Sequence, residues 1–230
     1  MRTLLSIFSC HQYEYTAPGM RDWFTRTTVD RVQAVRDSWL KDVTGEYKIF
    51  KGALRKSNIQ FLNPPDEVWL DAPDDYHHSA EKIRALIKYA LAGGYDYICK
   101  VDDDVWVYYD RLMANIPTAD YVGSDRGEPL DGLKANFCPG FTYWLSRRAM
   151  ELLDKSPAGC WAEDRYVGEA LKKQQIRCAF DSRYHLVKPT RTNPYISDGE
   201  LEKPNNYLTI HALRPDQMRR LHAQIPTCSA

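Results

Sequence analysis

Three groups of residues in this chain have types and spacings that suit chemistry. The first is Asp102-Asp103-Asp104, which follows the apolar run Tyr97 to Val101 and precedes a second one, Val105 to Tyr109. Three adjacent carboxylates repel one another, and withdrawing them from water without a partner is costly. A hard divalent cation, Mg²⁺ or Mn²⁺, is the natural partner, because such ions prefer carboxylate oxygens and share their sphere with phosphates. Alternate residues on an extended stretch point the same way. Asp102 and Asp104 can therefore reach one ligand while Asp103 faces elsewhere. By itself the triplet suits a nuclease, a phosphatase or a sugar-nucleotide transferase, and its bland reading is a solvated acidic turn. The second group is Glu163-Asp164, at the expected start of a helix. The helix dipole favours acidic residues there. The functional reading makes one of them a general base, tuned by burial beside an aromatic such as Trp161. The third is His211, inside the apolar stretch Tyr207 to Leu213. A lone histidine there is a core residue or, if the fold brings it to the triplet, a metal ligand beside carboxylates.

The elements that must position these groups alternate along the chain. Leu4 to Phe8, Glu46 to Phe50, Glu67 to Leu70 and Tyr97 to Val101 read as strands, with Val105 to Tyr109 as a further one. Val32, Val35 and Trp39 recur at helical spacing. Ile83, Leu86, Ile87, Ala90 and Leu91 form one apolar stripe of a helix that Ser79 caps and Gly93-Gly94 stops. Shorter helices are expected at Asp110 to Asn115, Ser146 to Lys155, Glu163 to Lys173 and Pro215 to Ile225, and a long ordered loop at Lys188 to Asn206. Strands separated by helices predict an α/β fold with a mostly parallel central sheet flanked by helices. No composition shift marks a boundary, so residues 1–230 are expected to form one domain. Ligands of such sheets sit at the carboxyl ends of the strands, which directs attention to the loops after Phe8, Leu70 and Val101.

Composition narrows the classes. The chain has 230 residues, with 31 Lys plus Arg against 31 Asp plus Glu. Zero net charge argues against general phosphate-backbone binding to nucleic acid. The 43% hydrophobic and 12% aromatic content excludes a disordered chain. The apolar run near the N-terminus is about five residues long, shorter than the roughly 7–15 of a signal peptide, and no run approaches the roughly 20 residues that span a bilayer. Six cysteines, at 10, 99, 138, 160, 178 and 228, form no CxxC pair. Reduced thiols in a cytosol are the default expectation, with one or two disulfides open.

Read together and in order, these segments resemble the beta-1,3-galactosyltransferase and fringe-like group, glycosyltransferase family thirty-one. Arg31-Val32-Gln33-Ala34-Val35-Arg36-Asp37-Ser38-Trp39 is similar to that group's R-x-x-x-R-x-T-W helix. Tyr76 and Lys82 resemble its Y-x-N-L-T-x-K segment. Lys100-Val101-Asp102-Asp103-Asp104-Val105-Trp106-Val107 is similar to K-x-D-D-D-V-F-V. Phe137 to Ser146 aligns without a gap to Y-C-S-G-G-G-Y-V-L-S, and Glu163-Asp164-Arg165-Tyr166-Val167-Gly168 resembles E-D-V-Y-V-G. The resemblance implies a GT-A fold, a nucleotide-sugar donor (most often a UDP-sugar), Mn²⁺ or Mg²⁺, and inversion at the anomeric carbon. It implies Asp164 as catalytic base and Asp104, with Asp102 and His211, as metal ligands. Asp102 or Asp103 would face the donor ribose or sugar. Lys82, Arg31 or Arg36 would meet the diphosphate, and Ser9, Cys10 and His11 the nucleotide base and ribose.

Departures bear on donor and acceptor. Gly140-Phe141-Thr142 replaces a glycine triplet, and Arg165 replaces a valine. Usual members carry an N-terminal membrane anchor; the sequence shows none, and the expectation is a cytoplasmic enzyme of a microbe or virus. The acceptor is expected to be a glycan or glycoside hydroxyl. The competing readings are transfer to a hydroxymethylated DNA base, a metal-dependent nuclease or phosphatase, and a non-catalytic sugar-binding module.

Overall fold

A computed structural model describes residues 1–9, 28–53, 64–125, 137–186, 196–201 and 206–224. In chain order the elements are β1 (Thr3–Phe8), α1 (Thr28–Asp37), β2 (Tyr47–Gly52), β3 (Glu67–Leu70), α2 (Ser79–Ala92), β4 (Tyr97–Asp102), β5 (Trp106–Val107) and α3 (Tyr109–Ala114). There follow β6 (Tyr121–Gly123), β7 (Thr142–Ser146), α4 (Arg147–Asp154), α5 (Glu163–Lys173), β8 (Ala179–Phe180), β9 (Tyr184–His185), α6 (Asp198–Leu201), β10 (Thr209–Ile210) and α7 (Pro215–Gln224). Seven strands form one sheet in the order β3-β2-β1-β4-β7-β6-β8, and a small second sheet has the order β5-β10-β9. In the large sheet only β7 runs against the rest, pairing antiparallel with β4 and β6. The α/β class with a mostly parallel sheet is the one the strand–helix alternation predicts.

The central strands are covered on both faces, which is why they read as continuous apolar runs. Leu5 and Ile7 of β1 and Cys99 and Val101 of β4 face a cluster shared with Val32 and Val35 of α1 and Met218 and Leu221 of α7. Leu4, Phe8 and Ile98 face the opposite cluster, with Ile83, Leu86 and Ile87 of α2, Met150 of α4 and Val167 of α5. At the amino ends of the strands Arg2 donates to both Glu46 carboxylate oxygens at 2.7 Å and lies 4.3 Å over the Tyr95 ring. These bonds, with one from the Tyr95 hydroxyl, hold the Glu46 carboxyl down to about 2. They tie the segments that lead into β1, β2 and β4.

Several expectations are corrected. β6, β8 and β9 are two or three residues long, too short to show a period, and β7 is buried along its whole length, so no alternation marks it. The expected loop at Lys188 to Asn206 contains α6; its residues 188–195 and 202–205 lie outside the described ones. Ser79 does not cap its own helix. The residue in that place is His78, which makes no side-chain cap bond. Cys138 and Cys178 are joined in a disulfide, so the default of reduced thiols fails for this pair, which the fold brings together across 40 residues of sequence. Cys99 and Cys160 are free; Cys10 and Cys228 lie outside the described residues. Among the described residues no helix is long and apolar enough to cross a membrane.

Candidate active site at the carboxyl ends of the central strands

The loops that follow β1, β3 and β4 converge. Ser9 Oγ donates to Asp103 Oδ2 at 2.7 Å, and Arg31 lies 3.5 Å from Asp103 Oδ1 and 3.6 Å from Asp104 Oδ2. Asp103 is fully buried. Lys82 Nζ donates to the Ser9 carbonyl at 2.6 Å and to Asp74 Oδ1 at 3.3 Å, and sits 4.4 Å over the Phe8 ring. Asp74 Oδ1 also accepts from the Gly52 amide at 2.7 Å. A buried charge needs a paired and hydrogen-bonded environment, and this inner layer supplies it.

The expected donor contacts fall in different places. Ser9, Lys82 and Asp103 are each nearly or wholly enclosed and spend their polar atoms on one another's loops. In these contacts they hold the triplet in place. Arg36 does not reach the cluster. It pairs with Asp66 at 2.9 Å and Glu67 at 2.8 Å, at the amino end of β3. Cys10 and His11 lie outside the described residues.

A second layer is built on Lys100, in β4, two residues before Asp102 and so on the same side of the strand. Its ammonium, fully buried, donates to Asp102 Oδ1 at 2.5 Å, to Glu163 Oε1 at 3.0 Å and to the Gly140 carbonyl. Burial alone would lower the Lys100 pKa; the two carboxylates outweigh it and raise it. Withdrawal from water raises the Asp102 pKa, and Glu163 and Asp104 add to the rise against the pull of Lys100. Gly140 is the residue this packing permits, since a Cβ there would run into Glu163 Oε1. Ser79 Oγ donates to the Trp161 carbonyl at 2.8 Å and accepts from the Glu163 amide at 3.2 Å. The hydroxyl expected to cap α2 thus serves the first turn of α5, whose own N-cap, Ala162, has no side chain for it. Asp164, next in that turn, is half-buried, and its Oδ1 accepts from the Arg165 amide at 2.7 Å.

The third layer joins Asp104 to His211. Pairing of β5 with β10 sets Trp106 opposite Ile210. The Leu213 amide donates to the Asp104 carbonyl at 2.9 Å, and the His211 amide to the His185 carbonyl at 3.0 Å. Between them Ala212 takes a left-handed φ of 63°, a conformation that costs a non-glycine residue and recurs at functional sites. His211 Nε2 faces Asp104 Oδ1 across 3.8 Å, too long for a hydrogen bond. Asp104 Oδ1 is buried and accepts no hydrogen bond. An anionic oxygen left so, facing an imidazole nitrogen, fits a divalent cation held between the two. Asp102 is committed to Lys100. Among the described residues no group of three His, Cys, Asp or Glu is arranged to hold a metal.

Lys100, Gly140 and Asp74 are residues of the cluster to which sequence reasoning assigns no such part, and Ser79 is expected from sequence only as a cap of its own helix. The signal for Lys100 was present, a cation two residues before an acidic triplet on one strand. The other three act across 8 to 84 residues of sequence, and no local pattern announces them.

No family model matches the chain, and no curated protein matches it by sequence. Solved structures with a similar chain path include three at low identity. One, from Desulfovibrio desulfuricans G20, is provisionally described as a nucleotide-diphospho-sugar transferase (12% identity, 79% of this chain and 80% of that one, TM-score 0.48). Another is a glycosyltransferase involved in glycosylating the major capsid of PBCV-1 (9%, 97% and 98%, TM-score 0.48). The third is the catalytic domain of Drosophila beta1,4-galactosyltransferase 7 (13%, 98% and 82%, TM-score 0.47).

Proposed function

We propose that residues 1–230 form one catalytic domain of the GT-A type, a metal-dependent glycosyltransferase. It would move a sugar from a nucleotide-sugar, most simply a UDP-sugar, to a hydroxyl of a glycan or glycoside, with inversion. The observation that carries this reading is the Asp104–His211 pair, a buried anionic oxygen and an imidazole nitrogen at the carboxyl end of β4. Bound there, Mn²⁺ or Mg²⁺ would offset charge that builds on a diphosphate leaving group. Arg31, 3.6 Å from Asp104 Oδ2, neutralises part of the triplet's charge and brings a second cation to that side. Asp102, held by Lys100, lies beside the pair and faces the donor. Asp164 is the base. Its carboxylate, steadied by the Arg165 amide at Oδ1, takes the acceptor hydroxyl's proton as the hydroxyl oxygen attacks the anomeric carbon and the nucleoside diphosphate leaves. One base and one in-line displacement give a product of opposite anomeric configuration. Glu163, tied to Lys100, fixes the start of α5 and so the place of Asp164.

The test is a thermal-shift screen of nucleoside diphosphates and nucleotide-sugars with and without Mn²⁺. UDP at a hundredfold excess over its Kd should raise Tm by about 5–10 °C, and EDTA should abolish the shift. No shift with any nucleoside diphosphate would overturn the reading.

A further inference from the structure

We infer that Phe141 is a positioning residue that orients the His211 imidazole toward Asp104; the inference rests on the metal-pair reading above. The two rings lie with centroids 4.8 Å apart and planes inclined at 31°, a tilted contact in the distance range of stabilising aromatic pairs. Phe141 is 3% exposed, so its ring has no freedom to drift. Its backbone is fixed at the same place: the Phe141 carbonyl accepts from the Asp102 amide at 2.9 Å. The residue before it, Gly140, gives its carbonyl to Lys100. The pair 140–141 thus touches both halves of the site, the Lys100–Asp102–Glu163 layer through backbone oxygens and the Asp104–His211 pair through one phenyl ring. His211 needs such a support because its own backbone sits at the end of the two-residue strand β10 and next to the left-handed Ala212. The segment resembled above carries glycine where this chain has Phe141, so the ring is an added part. The contact sets it against the imidazole. Groups that orient a metal-binding histidine typically change metal affinity by about 10–100-fold when lost.

Phe141→Leu keeps most of the apolar volume, which such cores tolerate, and removes the aromatic face. Three measurements on the full chain decide the matter. In metal-free protein the His211 ring protons, assigned by NMR against His211→Ala, should lie upfield and move downfield in Phe141→Leu. The Kd for Mn²⁺, by electron paramagnetic resonance, should rise at least about tenfold in Phe141→Leu. In a His211→Ala background the same substitution should leave Mn²⁺ affinity unchanged. Phe141→Tyr should retain the ring shift and wild-type affinity. Unmoved ring protons, unchanged Mn²⁺ affinity in Phe141→Leu, or an equal loss in the His211→Ala background would each overturn the assignment. Failure of wild-type protein to bind Mn²⁺, or equal binding by His211→Ala, would overturn the metal-pair reading itself, and the metal-free ring shift tells the two failures apart.

Discussion

At the scale of single residues the neighbours Glu163 and Asp164 divide their work. Glu163 is tied to the buried Lys100 ammonium, whereas Asp164 accepts from the Arg165 amide and is the proposed base. Asp164→Asn should bind UDP and Mn²⁺ as the wild type does and lose about 10²–10⁴-fold in transfer rate. Transfer at the normal rate, measured with the donor the thermal screen identifies, would show that another group is the base. Lys100 bears a different burden. Lys100→Met leaves two carboxylates and a carbonyl facing a methyl group, and breaking a buried pair by removing one partner costs about 3–5 kcal/mol. Urea unfolding should show a loss of that size; a change under 1 kcal/mol would mean the carboxylates find water or neutralise at little cost. The sequence displays each of these residues, and Lys100 even shares a strand face with Asp102. Which of the two acidic neighbours meets the lysine depends on the turn of α5, which sequence spacing does not reveal.

Among the secondary-structure elements, two helix ends use one motif with different residues. At the end of α2 the Tyr95 amide reaches the Ala90 carbonyl at 3.2 Å and the Gly94 amide that of Leu91 at 3.1 Å, with Gly94 at φ 74°. At the end of α5 the Ile176 amide reaches the Leu171 carbonyl and the Gln175 amide that of Lys172, both at 3.0 Å, with Gln175 at φ 63°. The left-handed position suits glycine and costs other residues. Gln175 is exposed, so Gln175→Gly should stabilise the fold by about 0.5–1 kcal/mol, read as a rise in urea midpoint with an unchanged slope. A fall would show that Gln175 makes contacts worth more than its strain. The Gly93-Gly94 stop was legible because its residues are the usual ones. The α5 stop carries no such mark, since glutamine advertises no turn. The trans contact from Ser79 to the Glu163 amide was illegible, because a serine before an apolar stripe reads as a cap for its own helix.

Across the whole molecule the disulfide joins the segment that leads into β7 to the segment that leads into β8. Cys138 lies two residues before Gly140, and its amide donates to the Tyr121 hydroxyl at 2.9 Å. Closing a loop of this length in the unfolded chain typically stabilises by about 2–4 kcal/mol. Reductant, or Cys178→Ser, should lower the urea midpoint accordingly; an unchanged midpoint would show that packing alone holds the 138–141 segment. The alternation of strand and helix, the α/β class, the length of α2 and α5 and the concentration of acid at two places in a neutral chain were all determined by the sequence. They follow from periodicity, composition and local turn chemistry, which act over a few residues. Only the tertiary structure decided that Ser9, Lys82 and Asp103 are enclosed, that Arg36 sits at the far end of the sheet, that Cys138 meets Cys178, and that Phe141 packs on His211. Each depends on pairing between segments tens of residues apart. The side-chain types at such positions are compatible with either a buried partner or an exposed ligand contact, and packing of the whole chain selects between them.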